Sequence, residues 1–206
     1  LTANNSCYNF TGITYKVYSD SACTTEAATF TLNKDGYSDP VELTEGTYYI
    51  KETDTVNSGY ALDTNVHEVT VTAGTTLDAP QTWSTKDAPL NDPLGIVINK
   101  VNSDGTTAAD LSGAEYTITY YPKQYDSLAE IQAETDSSIQ PTKWIIKTIK
   151  NANGNYHAYL DDAHIVSGSA GAVFGKDKAT GMYVVPLGTI TVQETKAPAG
   201  FTTEGA

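Results

Sequence analysis

Positive charge is scarce in this 206-residue chain: 12 Lys and Arg residues face 25 Asp and Glu, a formal net charge of -13. Nucleic acid is therefore excluded as a partner, because too few cations are present to neutralise phosphates. Such a balance suits a protein in an exposed, salty environment. Long apolar runs are also missing, so no segment is expected to insert into a membrane. The opening "LTANNSCYNF" has neither the basic region nor the apolar run of a signal peptide. Any secretion or wall-attachment signal is expected outside this segment. Methionine occurs once and cysteine twice, as Cys7 and Cys23. Their spacing is too wide for a zinc pair, and His67, His157 and His164 do not cluster, so neither a metal nor a cofactor is expected. Asp20, Asp35, Asp39 and Asp104 sit in turn-like loops without the regular oxygen spacing of a calcium site.

What is present points to β-structure. Thr, Tyr and Val are plentiful, and 39% of the residues are hydrophobic, enough for folded cores. Cys7 and Cys23 flank the apparent strand "GITYKVYS". A disulfide across its ends through a folded-back loop would contribute about 3 kcal/mol, and two buried thiols are the alternative.

The chain repeats itself. "GTYYIKET" at 46–53 matches "GTITVQET" at 188–195, and each is followed by a Gly–aromatic pair, Gly59-Tyr60 and Gly200-Phe201. Upstream, "FTGITYKVY" at 10–18 resembles "LSGAEYTITY" at 111–120. The repeat gives two domains, 1–86 and 87–206. The Pro-containing stretch "STKDAPLNDPLG" at 84–95 reads as a short, stiff joint.

Strands are expected at 13–19, 27–32, 46–52 and 66–72 in the first domain. In the second they are expected at 95–101, 114–121, 143–149, 156–160 and 188–194. "NKDGYSD" and "NANGN" read as turns. One helix is expected near 126–134, capped by Asp126. Short strands at regular spacing indicate tandem β-sandwiches, an all-β fold. Measured against each other, the first copy lacks an opening strand and the second a closing strand. The segment thus reads as part of a longer chain, with sheet edges for neighbouring domains or subunits to cover, strand complementation included.

Alternation places Glu194 in phase with Ile190 and Val192, and Glu52 in phase with Tyr48 and Ile50. Lys100 is in phase with Ile96 and Ile98, although the opposite face, Val97 and Val101, is apolar too. A buried carboxylate must be paired, hydrogen-bonded or protonated. Burial raises a Glu pKa and lowers a Lys pKa, so a neutral amine beside a neutral acid is expected. With an Asn or Asp side chain in reach, such a pair can form an amide once, losing ammonia or water.

"LSGAEYTI", "PLGTITVQETKAPAGF" and "GTYYIKETDTVNSGYALD" resemble the SpaA-type, or Cna B-type, prealbumin-like domains of Gram-positive surface proteins and pilins. The resemblance implies immunoglobulin-like or prealbumin-like β-sandwiches serving as stalk or fibre modules on the bacterial surface or cell wall. It further implies intramolecular Lys–Asn or Lys–Asp isopeptide bonds promoted by a buried Glu. Glu194 and Glu52 match the promoting Glu, and Lys100 matches the cross-linking Lys. The first copy's closing strand, "VHEVTVT", holds no Asn, with Asn65 just before it, and Lys16 is expected to face outward. No multiple-turnover enzyme is implied. The alternative function is an adhesin module binding a host protein or glycan, with the insertion at 122–143 as its binding element.

Overall fold

The structure is a computed structural model that describes residues 5–93, 98–101, 103–105, 110–169 and 171–203. The chain forms two compact units. One is Cys7–Leu90; the other combines Leu1–Ser6 with Asn91–Ala206. Almost all regular structure is antiparallel sheet.

The Cys7–Leu90 unit is built on strands β1 (Thr14–Tyr18), β2 (Glu26–Thr31), β3 (Gly46–Asp54) and β4 (Val66–Val71), in the order β2-β1-β3-β4. Period-two alternation does what the sequence leads one to expect. Tyr15 and Val17 on β1 are buried with Tyr48, Ile50 and Glu52 on β3. Between them, Lys16 turns outward and meets Glu26 at 2.7 Å. Ile13, Tyr8 and Tyr60 complete this core, each apolar side chain contributing about 1.5–3 kcal/mol through burial. "NKDGYSD" closes as an Asx turn, in which Asn33 Oδ1 accepts from the Asp35 and Tyr37 N–H groups. The second layer of this unit is not a regular sheet. It consists of extended segments in which Ala61 N–H donates to Ala88 and Leu90 N–H donates to Gly59.

Those bonds change the reading of the 84–95 stretch. Residues 88–90 are zipped to 59–61, and Asn91–Pro93 form strand β5. The division therefore lies at Leu90/Asn91 rather than after residue 86.

The other unit continues with β6 (Ile98–Lys100), β7 (Glu115–Tyr121), α1 (Leu128–Ala133), β8 (Thr142–Lys147), β9 (Ile149–Lys150), β10 (Tyr156–Ala158), β11 (Val184–Pro186) and β12 (Thr189–Lys196). Its sheets run β12-β7-β8, β6-β10-β9 and β11-β5. Trp144, Ile146, Ile118, Tyr120, Leu160 and Tyr183 are among the buried residues that fill its core. Helix α1 is shorter than expected and is capped by Ser127, not Asp126. Glu130 accepts the Asp126 N–H while Ser127 Oγ accepts the Glu130 N–H, which closes the first turn.

Repeat equivalence is visible in the ladders. Strand β1 corresponds to β7 and β3 to β12, and each pair is adjacent and antiparallel. Beside β3 lies β4, whereas among the described residues β12 has only β7 as a neighbour.

At the base of β7, the fully buried Thr148 hydroxyl donates to Leu111 O at 2.6 Å and accepts from Ala114 N–H at 3.0 Å. Thr148→Val keeps the shape and removes both bonds. We expect a loss of about 1 kcal/mol, read from denaturant unfolding of this unit.

Candidate amide cross-link sites

The ladders place one Tyr–Glu pair at the same point in each repeat. Tyr15 on β1 lies opposite Glu52 on β3, and Tyr116 on β7 lies opposite Glu194 on β12. The tyrosines escape notice when only charged residues are tracked. Yet both follow the repeat's glycine by three residues, at Gly12 and Gly113, and that shared offset is the signal for them.

In the second repeat the site holds an amine. Lys100 at the end of β6 reaches across from the other sheet, and its Nζ lies 2.6 Å from Glu194 Oε1. The lysine and glutamate side chains are 21% and 9% exposed. The structure thus brings Lys100 and Glu194 together. It differs from expectation in the charge of the lysine. Burial acts to discharge Lys100, but hydrogen bonds to Glu194 and Tyr116 outweigh it and hold the ammonium above its usual pKa. The resting arrangement is an ion pair because water still reaches the lysine and a hydrogen-bonded partner is in place. The short bond also offers a route for the proton. When an acyl carbon approaches, Glu194 can take it and leave Lys100 nucleophilic.

In the first repeat, no amine among the described residues acts on the site. Glu52 is 1% exposed. Its Oε2 accepts the Asp63 N–H, and its Oε1 is buried with no hydrogen-bond partner. The Tyr15 hydroxyl lies against Glu52 and donates to Asp87 Oδ1 at 3.4 Å. Burial, foremost, raises the pKa of both Glu52 and Asp87, and their mutual repulsion with Asp63 adds to it at each. Asp63 behaves oppositely. The Asn65 N–H and His67 donate to it, and it lies below the ordinary carboxylate range. Burial, then Asp87 and Glu52, push the Tyr15 hydroxyl well above its usual value.

Asp87 is the residue that sequence reasoning missed, because it falls in a stretch that reads as a joint. Asn65 is exposed and spends its side chain on Asp63 at 2.6 Å. Lys16 faces away, in its pair with Glu26.

No disulfide joins Cys7 to Cys23, and both residues are half-buried. Cys7 packs against Gly59, where an added Cβ would come within 2.4 Å of the Cys7 carbonyl at φ +82°. That is the Thr14 end of β1, because Thr14 pairs with Asp54. Cys23 sits in the β1–β2 turn beyond Tyr18, its N–H bonded to Asp20 O. A strand of five residues separates them, roughly 13–17 Å, whereas a disulfide spans at most about 7 Å between Cα atoms. The loop folds back along β2 instead of across β1.

The remaining candidates are absorbed locally. Asp20 accepts the Thr24 and Thr25 N–H groups, His67 pairs with Asp63, and His164 pairs with Asp161. Among the described residues, no group of three or more His, Cys, Asp or Glu side chains has the geometry to hold a metal ion. No described helix is long and apolar enough to cross a membrane. In the 122–143 insertion, Lys123 foremost, then the Asp136 N–H and Tyr125, hold the Glu134 pKa down at about 2.

Residues 4–83 match the SpaA family, described as a prealbumin-like fold domain. No curated protein matches the chain. Among solved structures, the C-terminal fragment of the pilus adhesin SpaC from Lactobacillus rhamnosus GG aligns over 100% of this chain and 74% of its own. The two are 16% identical, with a TM-score of 0.38.

Proposed function

We propose that the chain is a structural module of a Gram-positive surface stalk, pilus or fibre, in which the two repeats carry sites for one-time amide cross-links. The observation that carries this reading is the Lys100–Glu194 contact at 2.6 Å beside Tyr116. It joins β6 to β12, and hence the two sheets of one unit. A bond from Lys100 to a carboxamide or carboxyl side chain would tie those sheets covalently, so that neither pulling nor proteolysis at one strand could separate them. Glu194 is the proton acceptor for the amine and Tyr116 orients the pair. The SpaA match at 4–83 supports a pilus-related surface role, and the acidic surface suits extracellular display. Neighbouring domains or subunits of the same fibre are the partners, with the side of β12 that no described strand pairs as the place for a further strand. The reaction turns over once, so the chain is a scaffold rather than an enzyme.

Intact mass of the protein isolated from its native source tests this reading. Each bond through Asn removes ammonia, about 17 Da, and each through Asp removes water, about 18 Da. We expect Lys100 in a branched peptide and Glu194→Ala to restore the unlinked mass. A linear Lys100 peptide throughout would contradict the reading.

A further inference from the structure

We infer that the Cys7–Leu90 unit is an insertion in the other unit, and that Asn5 keeps it off the path of tension between the ends of the chain by fastening the start of the chain to β7 and β12. The inference takes from the stalk reading above that the chain carries tension. It adds which repeat carries it and which residue decides this.

Asn5 belongs to the unit that holds Asn91–Ala206, although it precedes the whole first repeat in sequence. It is 5% exposed. Its Nδ2 donates to the Tyr120 hydroxyl at 3.0 Å and to Leu187 O at 2.9 Å. The Tyr120 hydroxyl donates to the same carbonyl at 3.0 Å, which closes a ring of three hydrogen bonds. Pulling a buried carboxamide out of such a ring strands its partners, so the contact resists displacement. Tyr120 lies on β7, and Leu187 joins β11 to β12. The seat is tight, since a Cβ on Gly188 would come within 2.2 Å of Tyr121 O. After the first repeat the chain returns to the same spot: Asn91 pairs with Pro186, the residue before Leu187.

The Cys7–Leu90 unit likewise begins and ends in one place. Asn9 N–H donates to Ser58 O at 3.0 Å and Leu90 N–H to Gly59 O at 2.8 Å. The Tyr8 hydroxyl donates to Leu90 O, near the two ends of the unit. A unit whose ends lie together is what an inserted domain requires.

Tension therefore has a route that leaves the first repeat out. It passes from Asn5 to Tyr120 on β7 and leaves along β12 beyond Lys196. In the β7–β12 ladder Tyr120 lies opposite Ile190, near the start of β12, whereas Lys196 lies opposite Glu115 at the far end. The pull runs along the strands, and antiparallel hydrogen bonds stand perpendicular to them. The ladder is thus loaded in shear, with its bonds sharing the force instead of parting one at a time. The sites agree with this division: the unit in the path is the one that holds Lys100 against Glu194.

Single-molecule force spectroscopy on the intact 206-residue chain, held by handles at its two ends, tests this. Release of Cys7–Leu90 is recognised by its length, about 30 nm when fully extended. Val17→Ala opens a cavity in the core of that unit and weakens it without touching Asn5 or its partners. With Asn5 in place, the release force should not change on Val17→Ala, because the Asn5 contact or the other unit must give first. In the Asn5→Ala background the first repeat is loaded from the start, and the same substitution should lower the release force. Hydrogen exchange of the β1 and β3 amides should be unaltered by Asn5→Ala, a result that separates a role in the path of tension from one in folding the first repeat. Circular dichroism confirms that each variant folds, and Ile50→Val, a smaller cavity, repeats the comparison if Val17→Ala does not. A release force that falls on Val17→Ala while Asn5 is present, or that fails to fall in the Asn5→Ala background, overturns the inference. Neither result affects the Lys100 peptide test, so the two readings fail separately.

Discussion

Glu194→Ala is expected to destabilise the second repeat by about 3 kcal/mol, the low end for breaking a buried ion pair. Truncation removes the carboxylate and leaves the partly buried Lys100 ammonium without it. The low end applies because Lys100 keeps 21% exposure and can draw in water. Lys100→Ala strands the glutamate instead and should cost a similar amount. The double substitution Lys100→Met with Glu194→Leu is the informative one. An apolar pair of similar volume needs no desolvation of charge, so its stability should return to within about 1 kcal/mol of the parent chain. Urea unfolding followed by Trp144 fluorescence reads all three, since Trp144 is fully buried in the same unit. Such a pair adds little net stability, which fits a site kept for chemistry rather than for folding.

The first repeat is expected to respond to Glu52→Gln in the opposite direction, gaining about 1–3 kcal/mol at neutral pH. An ionised Glu52 is buried with one oxygen unsatisfied and two other carboxylates nearby, and glutamine removes the charge with almost no change of shape. The pH dependence follows from the direction of the shifts. Glu52 and Asp87 have folded pKa values above their unfolded ones, so the fold binds their protons more tightly than the unfolded chain. Their contribution is greatest below the ordinary carboxylate range and is lost as pH rises through the raised folded values. Asp63 acts with the other sign: its stabilisation, present above the ordinary carboxylate range, disappears as pH falls through its depressed value. The first repeat should therefore be more stable in mild acid than at neutral pH, and Glu52→Gln should flatten that slope. Thermal melts across mildly acidic to neutral pH check it, with the indole of Trp83, edge-on to Tyr15 and tilted against His67, as the reporter.

Much of this was legible in the sequence because strand alternation is a strict rule. A carboxylate in phase with Tyr48 and Ile50 had to face inward, and Glu52 does. On β12 burial does not alternate: Val192, expected to share the core-facing phase, is exposed, and Glu194 is half-buried beside Lys100. The hairpin at 151–155 was also legible, since Asn151 and Gly154 are the residues its turn requires. Other features depend on tertiary context that local patterns do not carry. Strands β5 and β11 are three residues each and include a proline, too short to show a period. Asp87 lies in a proline-bracketed stretch whose pairing with 59–61 is set by the fold around it. The cysteines flank one strand in sequence, but a hairpin carries the second to the strand's far end. The charge on Lys100 depended on a partner at hydrogen-bond distance, which burial alone does not reveal.

Carboxyl footprinting of the folded 206-residue chain, with a water-soluble carbodiimide and a small amine followed by peptide mapping, tests most directly whether both repeats turn a glutamate inward. Glu52 and Glu194 should stay unlabelled under conditions that modify the exposed Glu26 and Glu68, and both should label once the chain is unfolded in urea. Labelling of Glu52 and Glu194 in the folded chain at the rate of Glu68 would contradict the account.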